Sequence, residues 1–365
     1  MAPLRVVVAP DSFKGTATAA EVAAAVARAW QAVRPGDHVR EMPVADGGEG
    51  TVDAFRRAVP EAVVHRLVVP GPTGGDVEAE WLLLPDGTAV VELASASGLT
   101  LASAPLPLDA HPRGLGRVLA AALDAGASRL VVGVGGSAST DGGVGVLREL
   151  GARVLDSLGE DVPDGGRGLA SAERLDLTGL RPLPARGVVV LTDVSSPLLG
   201  PDGAAAVFGP QKGAGPDDVL ALELGLERWA SLVPVDPTTP GAGAAGGVAF
   251  GLLAWRARLE PGAAAVADAV GLCAALADAD LVITGEGRFD GQTAAGKTVS
   301  HVSAAAAAAG VPVVLVTGAV DPDADASAFV AVAETSRAAG GLDEALARPL
   351  HWVAEAAAQL ARDVG

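Results

Sequence analysis

Short runs of β-branched residues alternate with alanine-rich stretches along most of the 365-residue chain, and the runs end at or beside Gly, Asp, Ser or Thr. A run such as residues 5–9 (RVVVA) offers no polar face to water, so it needs cover on both sides. Parallel strands joined by helical crossovers give that cover, and this pattern predicts an α/β protein. Residues 130–134, 188–192, 281–284 and 313–317 read as further buried strands, with helices over 17–33, 117–125, 144–150 and 303–309. The core these elements form is built from Ala, Val and Leu, with 6 Phe, 5 Trp and no Tyr, so many small contacts must supply its burial energy.

The middle of the chain has a different rhythm. Residues 63–69, 77–84 and 89–93 alternate as antiparallel strands do, with Asp86-Gly87 as a hairpin turn after Pro85. An antiparallel segment inside a parallel α/β chain predicts two α/β domains. One is a mostly parallel, doubly wound, flavodoxin-like sheet from residues 1–70 and 285–365. The other is a mixed-sheet domain inserted at 71–284. The Pro- and Gly-rich stretch 233–247 reads as a loop of the second domain.

Charge narrows the function. The formal charge of −18 repels a phosphate polymer, so no nucleic-acid partner is expected. The first ten residues lack the basic and long apolar regions of a signal peptide, and the single Cys273 excludes an internal disulfide; both suit a soluble cytoplasmic protein. Residues 298–320 carry no Asp, Glu, Lys or Arg, but Gly310 and Pro312 divide them, so a helix, a turn and a strand are expected there and no membrane span.

Three motif matches fail on their context. Residues 291–298 (GQTAAGKT) fit the P-loop pattern, but the preceding strand is expected to end at Thr284, too early for a direct strand-to-loop turn. A phosphate-binding Gly296-Lys297 pair at a helix start is the reading retained. Residues 241–246 (GAGAAG) fit a dinucleotide pattern, but the Pro-rich segment before them cannot be a central strand. Residues 135–139 (GGSAS) approach a nucleophile elbow with Ser139 where the second Gly belongs. The 5 His are not spaced as metal pairs or a triad base.

What remains is a set of loops that combine Gly, acid and sometimes Lys: 11–16 (DSFKGT), 46–51 (DGGEGT), 135–143 (GGSASTDGG) and 285–290 (GEGRFD). A fifth, 192–197 (TDVSSP), is followed by 208–213 (FGPQKG). Glycines let backbone N–H groups approach an anion, Lys adds positive charge, and carboxylates hold Mg²⁺ or take a hydroxyl proton. That inventory suits phosphoryl transfer. Any one loop is also read as a helix cap or a turn, but five together make an all-structural reading untenable.

These segments resemble the bacterial glycerate kinase family, of the type distinct from the P-loop and MOFRL glycerate kinases. The resemblance rests on residues 8–15, 43–51, 135–143, 208–213, 241–247 and 284–297, and it runs from about Val6 to Thr317. It implies ATP-dependent phosphorylation of D-glycerate with Mg²⁺ in a two-domain α/β fold, with the active site in the cleft between the domains and most members giving 2-phosphoglycerate. Within that frame the expected catalytic residues are Asp193, to activate the glycerate hydroxyl, with Lys14 and Lys297. The expected substrate and phosphate contacts are Asp11, Ser12, Gly135, Gly136, Ser137, Ser139, Lys212, Gly285, Gly287 and Gly296. Asp46, Glu49, Glu286 and Asp290 are the candidate Mg²⁺ ligands. Thr140, Ser196, residues 111–113 and Val299 depart from the family pattern, which leaves other small hydroxy acids open as substrates. A non-catalytic regulator binding glycerate or nucleotide is the alternative of a different class, and the number of carboxylates in the loops argues against it.

Overall fold

The computed structural model describes residues 2–290 and 298–364. In chain order the first strands are β1 (Arg5–Val8), β2 (His38–Glu41), β3 (Val63–Pro70), β4 (Asp76–Leu83) and β5 (Thr88–Glu92). They are followed by β6 (Arg129–Gly133), β7 (Arg153–Leu155), β8 (Arg174–Asp176), β9 (Val188–Leu191) and β10 (Arg258–Glu260). The last are β11 (Leu281–Phe289), β12 (Val313–Val320) and β13 (Ala331–Glu334). The chain divides into a first unit, Met1–Asp46, Asp53–Ala58 and Ala263–Gly365, and a second, Gly47–Val52 and Val59–Gly262.

The first unit carries a five-stranded, all-parallel sheet in the order β13-β12-β11-β1-β2. Counted within the sheet this is the 2-1-3-4-5 order of flavodoxin-like folds, and the chain direction across the sheet reverses between β1 and β11. Val6 and Val8 face the helices Ala19–Val33 and Pro349–Asp363, whose Ala and Val side chains close a core around the fully buried Trp30. The helix Ala19–Val33 starts two residues later than expected, where Thr18 caps it. The Thr18 hydroxyl accepts from Glu21 N–H and Glu21 returns to Thr18 N–H, a capping box. Beyond that helix, the indole of Trp30 donates to Asp37 at 2.9 Å, and Arg34 reaches the same oxygen at 2.6 Å. Phe289, Val299 and Leu315 form a smaller cluster that joins β11, β12 and the helix Thr298–Ala309.

The second unit has a six-stranded sheet, β10-β9-β6-β5-β4-β3, with the first four strands parallel and β4 and β3 antiparallel, as the alternating segments predict. Asp86 turns β4 into β5 by accepting the N–H of Thr88 at 2.8 Å. Its core gathers Leu115, Leu119, Leu130, Leu147, Trp229 and Phe250, all fully buried.

The chain divides elsewhere than at 70/71 and 284/285. β3 pairs with β4 along its whole length, which draws residues 63–70 into the second unit. Residues 281–284 open β11, which lies between β1 and β12, so they belong to the first. Residues 298–320 form a helix, a turn and a strand as expected, and no helix among the described residues is long and apolar enough to cross a membrane.

Candidate active site

In the first unit the expected residues converge at the carboxyl ends of β1 and β11. Asp11 follows β1 and is buried; its Oδ1 accepts the N–H of Ser12 at 2.6 Å and its Oδ2 accepts the Thr298 hydroxyl at 3.0 Å. Burial, with the nearby charge of Asp46, pushes the Asp11 carboxyl up to about 7, against the opposing pull of Lys14 and the two hydrogen bonds. Lys14 donates to Asp46 at 3.3 Å, and Asp46 foremost, then Asp11 and Glu286, raise its pKa. One ammonium thus stands among three carboxylates. Around it Asp11, Ser12, Lys14, Glu286, Gly287 and Asp290 line one side of a cavity of about 360 Å³.

Residues 285–289 correct the expectation of a loop, because β11 runs on to Phe289. Gly285 is a strand residue: its carbonyl accepts the Asp11 N–H at 2.8 Å, and a Cβ at this position would meet Val316 O at 2.1 Å. Close packing of β11 on β12 explains this glycine without an anion. The longer strand also shortens the gap before Gly291 and so weakens the contextual argument against a P-loop there. Gly291 to Lys297, with the expected Gly296 and Lys297, lie outside the described residues. Thr298 opens the following helix, and its hydroxyl is committed to Asp11.

The second unit holds a different set. The loop after β6 brings Ser137 and Ser139 onto Lys212, whose Nζ donates to Ser137 Oγ at 2.8 Å and to the Ser139 carbonyl at 2.5 Å. Lys212 is only 2% exposed, and burial drives its pKa down to about 7, opposed by the charge of Asp141. Asp141 is buried as well and rises to about 6, held back by the N–H groups of Gly145 and Gly143. The Ser139 and Thr140 hydroxyls are buried without a hydrogen-bond partner among the described residues. Gly135 is required by close approach, since a Cβ there would lie 2.5 Å from Gly48 Cα. Gly136 presents its carbonyl to Leu99 N–H at 2.8 Å, and Trp229 supports the loop from below by donating to Gly142 O at 3.0 Å.

Asp193 follows β9, as expected, and its Oδ1 accepts the N–H of Gly262 at 2.9 Å. It therefore holds the start of the helix Gly262–Ala269. Glu49 is exposed and is not part of a cluster with Asp46, Glu286 and Asp290: among the described residues no three His, Cys, Asp or Glu side chains converge as a metal cage would need. Mg²⁺ does not need one, because it is commonly held by one or two carboxylates together with substrate phosphates. The carboxylates around Lys14 fit that pattern.

A buried acid next to these loops was not anticipated from the sequence. Glu92, at the end of β5, accepts the N–H of Val52 at 3.1 Å along with those of Gly50 and Thr51, and burial pushes it up to about 7. It anchors the glycine-rich turn that follows Asp46. A compositional signal was also available: the chain has only three lysines, Lys14, Lys212 and Lys297, against 23 arginines. Each lysine sits in one of the glycine-rich loops already singled out. Every other Lys or Arg position in the sequence is arginine.

The glycerate kinase family matches residues 6–365. The chain is 43% identical over 333 residues to the glycerate kinase of Bacillus subtilis (strain 168), covering 88% of this chain and 87% of that one. It is 40% identical over 330 residues to the glycerate 2-kinase of Escherichia coli (strain K12), covering 88% and 86%. A crystal structure of a candidate glycerate kinase 2 from Salmonella typhimurium LT2 superposes with a TM-score of 0.80 at 38% identity, covering 99% of this chain and 98% of that one. The chain belongs to the glycerate kinase family.

Proposed function

We propose that the chain transfers the γ-phosphate of ATP to the 2-hydroxyl of D-glycerate, giving 2-phosphoglycerate and ADP. The observation that carries this reading is the group of Lys14, Asp11, Asp46 and Glu286 beside a cavity at the reversal point of a flavodoxin-like sheet, where such folds bind their ligands. The family membership and the likeness to the Escherichia coli glycerate 2-kinase support it.

Lys14, with Lys297, offsets charge on the phosphoryl group in transfer. Asp46 and Glu286, with Asp290 as a further candidate, would hold Mg²⁺, which neutralises charge on the phosphate oxygens when bound. The loop from Gly135 to Ser139 and Lys212 position the acid. Asp193, oriented by the Gly262 N–H, takes the hydroxyl proton as the new O–P bond forms and the bond to ADP breaks. A compartment that supplies ATP and keeps Cys273 reduced, such as the cytoplasm, suits this chemistry.

The test is ADP release with ATP, Mg²⁺ and D-glycerate, followed by ³¹P NMR of the product. A phosphate monoester on O2 is expected. A product on O3 would keep the kinase and overturn the position; no ADP above a control without glycerate would overturn both.

A further inference from the structure

The cavity beside Lys14 has a second side that phosphate chemistry does not explain. Its lining follows the order of the sheet. The loop after β1 and the end of β11 supply the polar residues described above, with Arg288. The end of β12 and the segments after β13 supply Ala319, Leu342, Ala345, Leu346 and Pro349. Leu342 and Leu346 are one helical turn apart on the helix Leu342–Ala347, and each is 51% exposed. Single exposed leucines are ordinary on a protein surface. Two on the wall of one cavity, facing the carboxyl ends of parallel strands, form an apolar surface continuous with a charged one.

Glycerate cannot use that surface. Each of its three carbons carries oxygen, so contact with leucine would desolvate polar groups and return little. A ligand with a flat apolar end and an anionic end would use both sides. The volume of about 360 Å³ falls within the roughly 300–1,000 Å³ usual for small-molecule sites. Resting on the kinase reading above, we propose that Leu342, Leu346 and Pro349 form the wall that receives the adenine of ATP. The triphosphate then runs back across Thr335 and the end of β12 toward Lys14 and Arg288.

The variant Leu342→Ser/Leu346→Ser removes the apolar wall and leaves every charged group in place. Both side chains are half exposed, so the fold is expected to survive, and Leu346→Ala alone provides a milder version. The expected result is a rise of roughly tenfold in the KM for ATP. The Kd of a fluorescent methylanthraniloyl-ADP, titrated without glycerate, should rise in parallel. The KM for glycerate and inhibition by inorganic tripolyphosphate, which has no base, should stay within about twofold. Leu224→Ser, at a 56% exposed site on the helix Pro216–Ala230, should change none of these.

An unchanged KM for ATP and unchanged analogue binding in an enzyme that still turns over glycerate would overturn the adenine assignment and leave the kinase standing. So would a rise confined to the KM for glycerate, or a tripolyphosphate constant that moves with the ATP constant. Analogue binding that depends on Leu342 and Leu346 in a protein inert toward glycerate would uphold the nucleotide site and overturn the acceptor.

Discussion

Replacing Lys212 by Met should reverse its effect on stability between neutral and alkaline pH. An unfolded lysine titrates near 10.4, and burial brings the folded one to about 7. Between those values the unfolded chain holds a proton that the native chain lacks, so stability rises with pH across this window. The full rise is roughly 5 kcal/mol, at about 1.4 kcal/mol per pH unit. Met cannot titrate and does not share it. Met also removes both donors, leaving the buried Ser139 carbonyl unsatisfied at a cost of about 1–3 kcal/mol at every pH. Near pH 7 the variant should therefore equal or exceed the wild type in stability, and near pH 10 it should fall below it. Urea unfolding from pH 6.5 to 10 would read this directly. The background is favourable, because the chain has no Tyr and only three Lys to titrate in that range. Parallel stability curves for the two proteins would refute the reasoning and show that the amine keeps its solution pKa in the fold.

Three further outcomes follow from the geometry. Asp193→Asn preserves an acceptor for the Gly262 N–H but not a base, so kcat should fall roughly 10²–10⁴-fold in steady-state assays while thermal stability holds; kcat within a few-fold of wild type would move the base elsewhere, with Asp46 next. Thr298→Ala removes a hydrogen bond to Asp11, yet the Mg²⁺ dependence of the rate should be nearly unchanged, because carboxylates are the proposed ligands; a large shift in the Mg²⁺ titration would restore the P-loop reading. Glu92 is raised to about 7 in the fold, so its contribution is complete below about 4.3 and lost as pH rises through 7. Glu92→Gln should thus gain roughly 2–4 kcal/mol on the wild type between pH 4.5 and 8, read by denaturant unfolding at each pH.

The buried strands were legible because a parallel sheet covered on both faces leaves only β-branched runs closed by Gly, Asp, Ser or Thr, and β1, β6, β9, β11 and β12 all carry that mark. Their partners were not. A run buried on both faces has no polar side to set its register, and nothing local says that Val6 will lie beside Leu281. Gly285 and Gly287 read as a loop because glycine weakens an isolated strand; between packed strands it is the residue that lets backbones approach. The site loops were visible as clusters of Gly, acid and Lys. That Lys212 is sealed inside the protein was not, since burial is decided by distant residues. Glu92 went unseen because a single acid at a strand end looks like any turn residue.

The order of strands in the first sheet also bears on how the protein is made. β1 and β2 leave the ribosome early, but β11, which lies against β1, follows more than 250 residues later. At about 5–20 residues per second, roughly 15–55 s of synthesis separates the two. Over that interval Val6, Val7 and Val8 have no β11 to cover them, while the chain from Val59 to Gly262 emerges in one piece and can fold during translation. The nascent β1 segment is therefore open to aggregation and to chaperone capture over that interval. A synonymous change that slows translation between residues 263 and 320 lengthens that exposure without altering an amino acid.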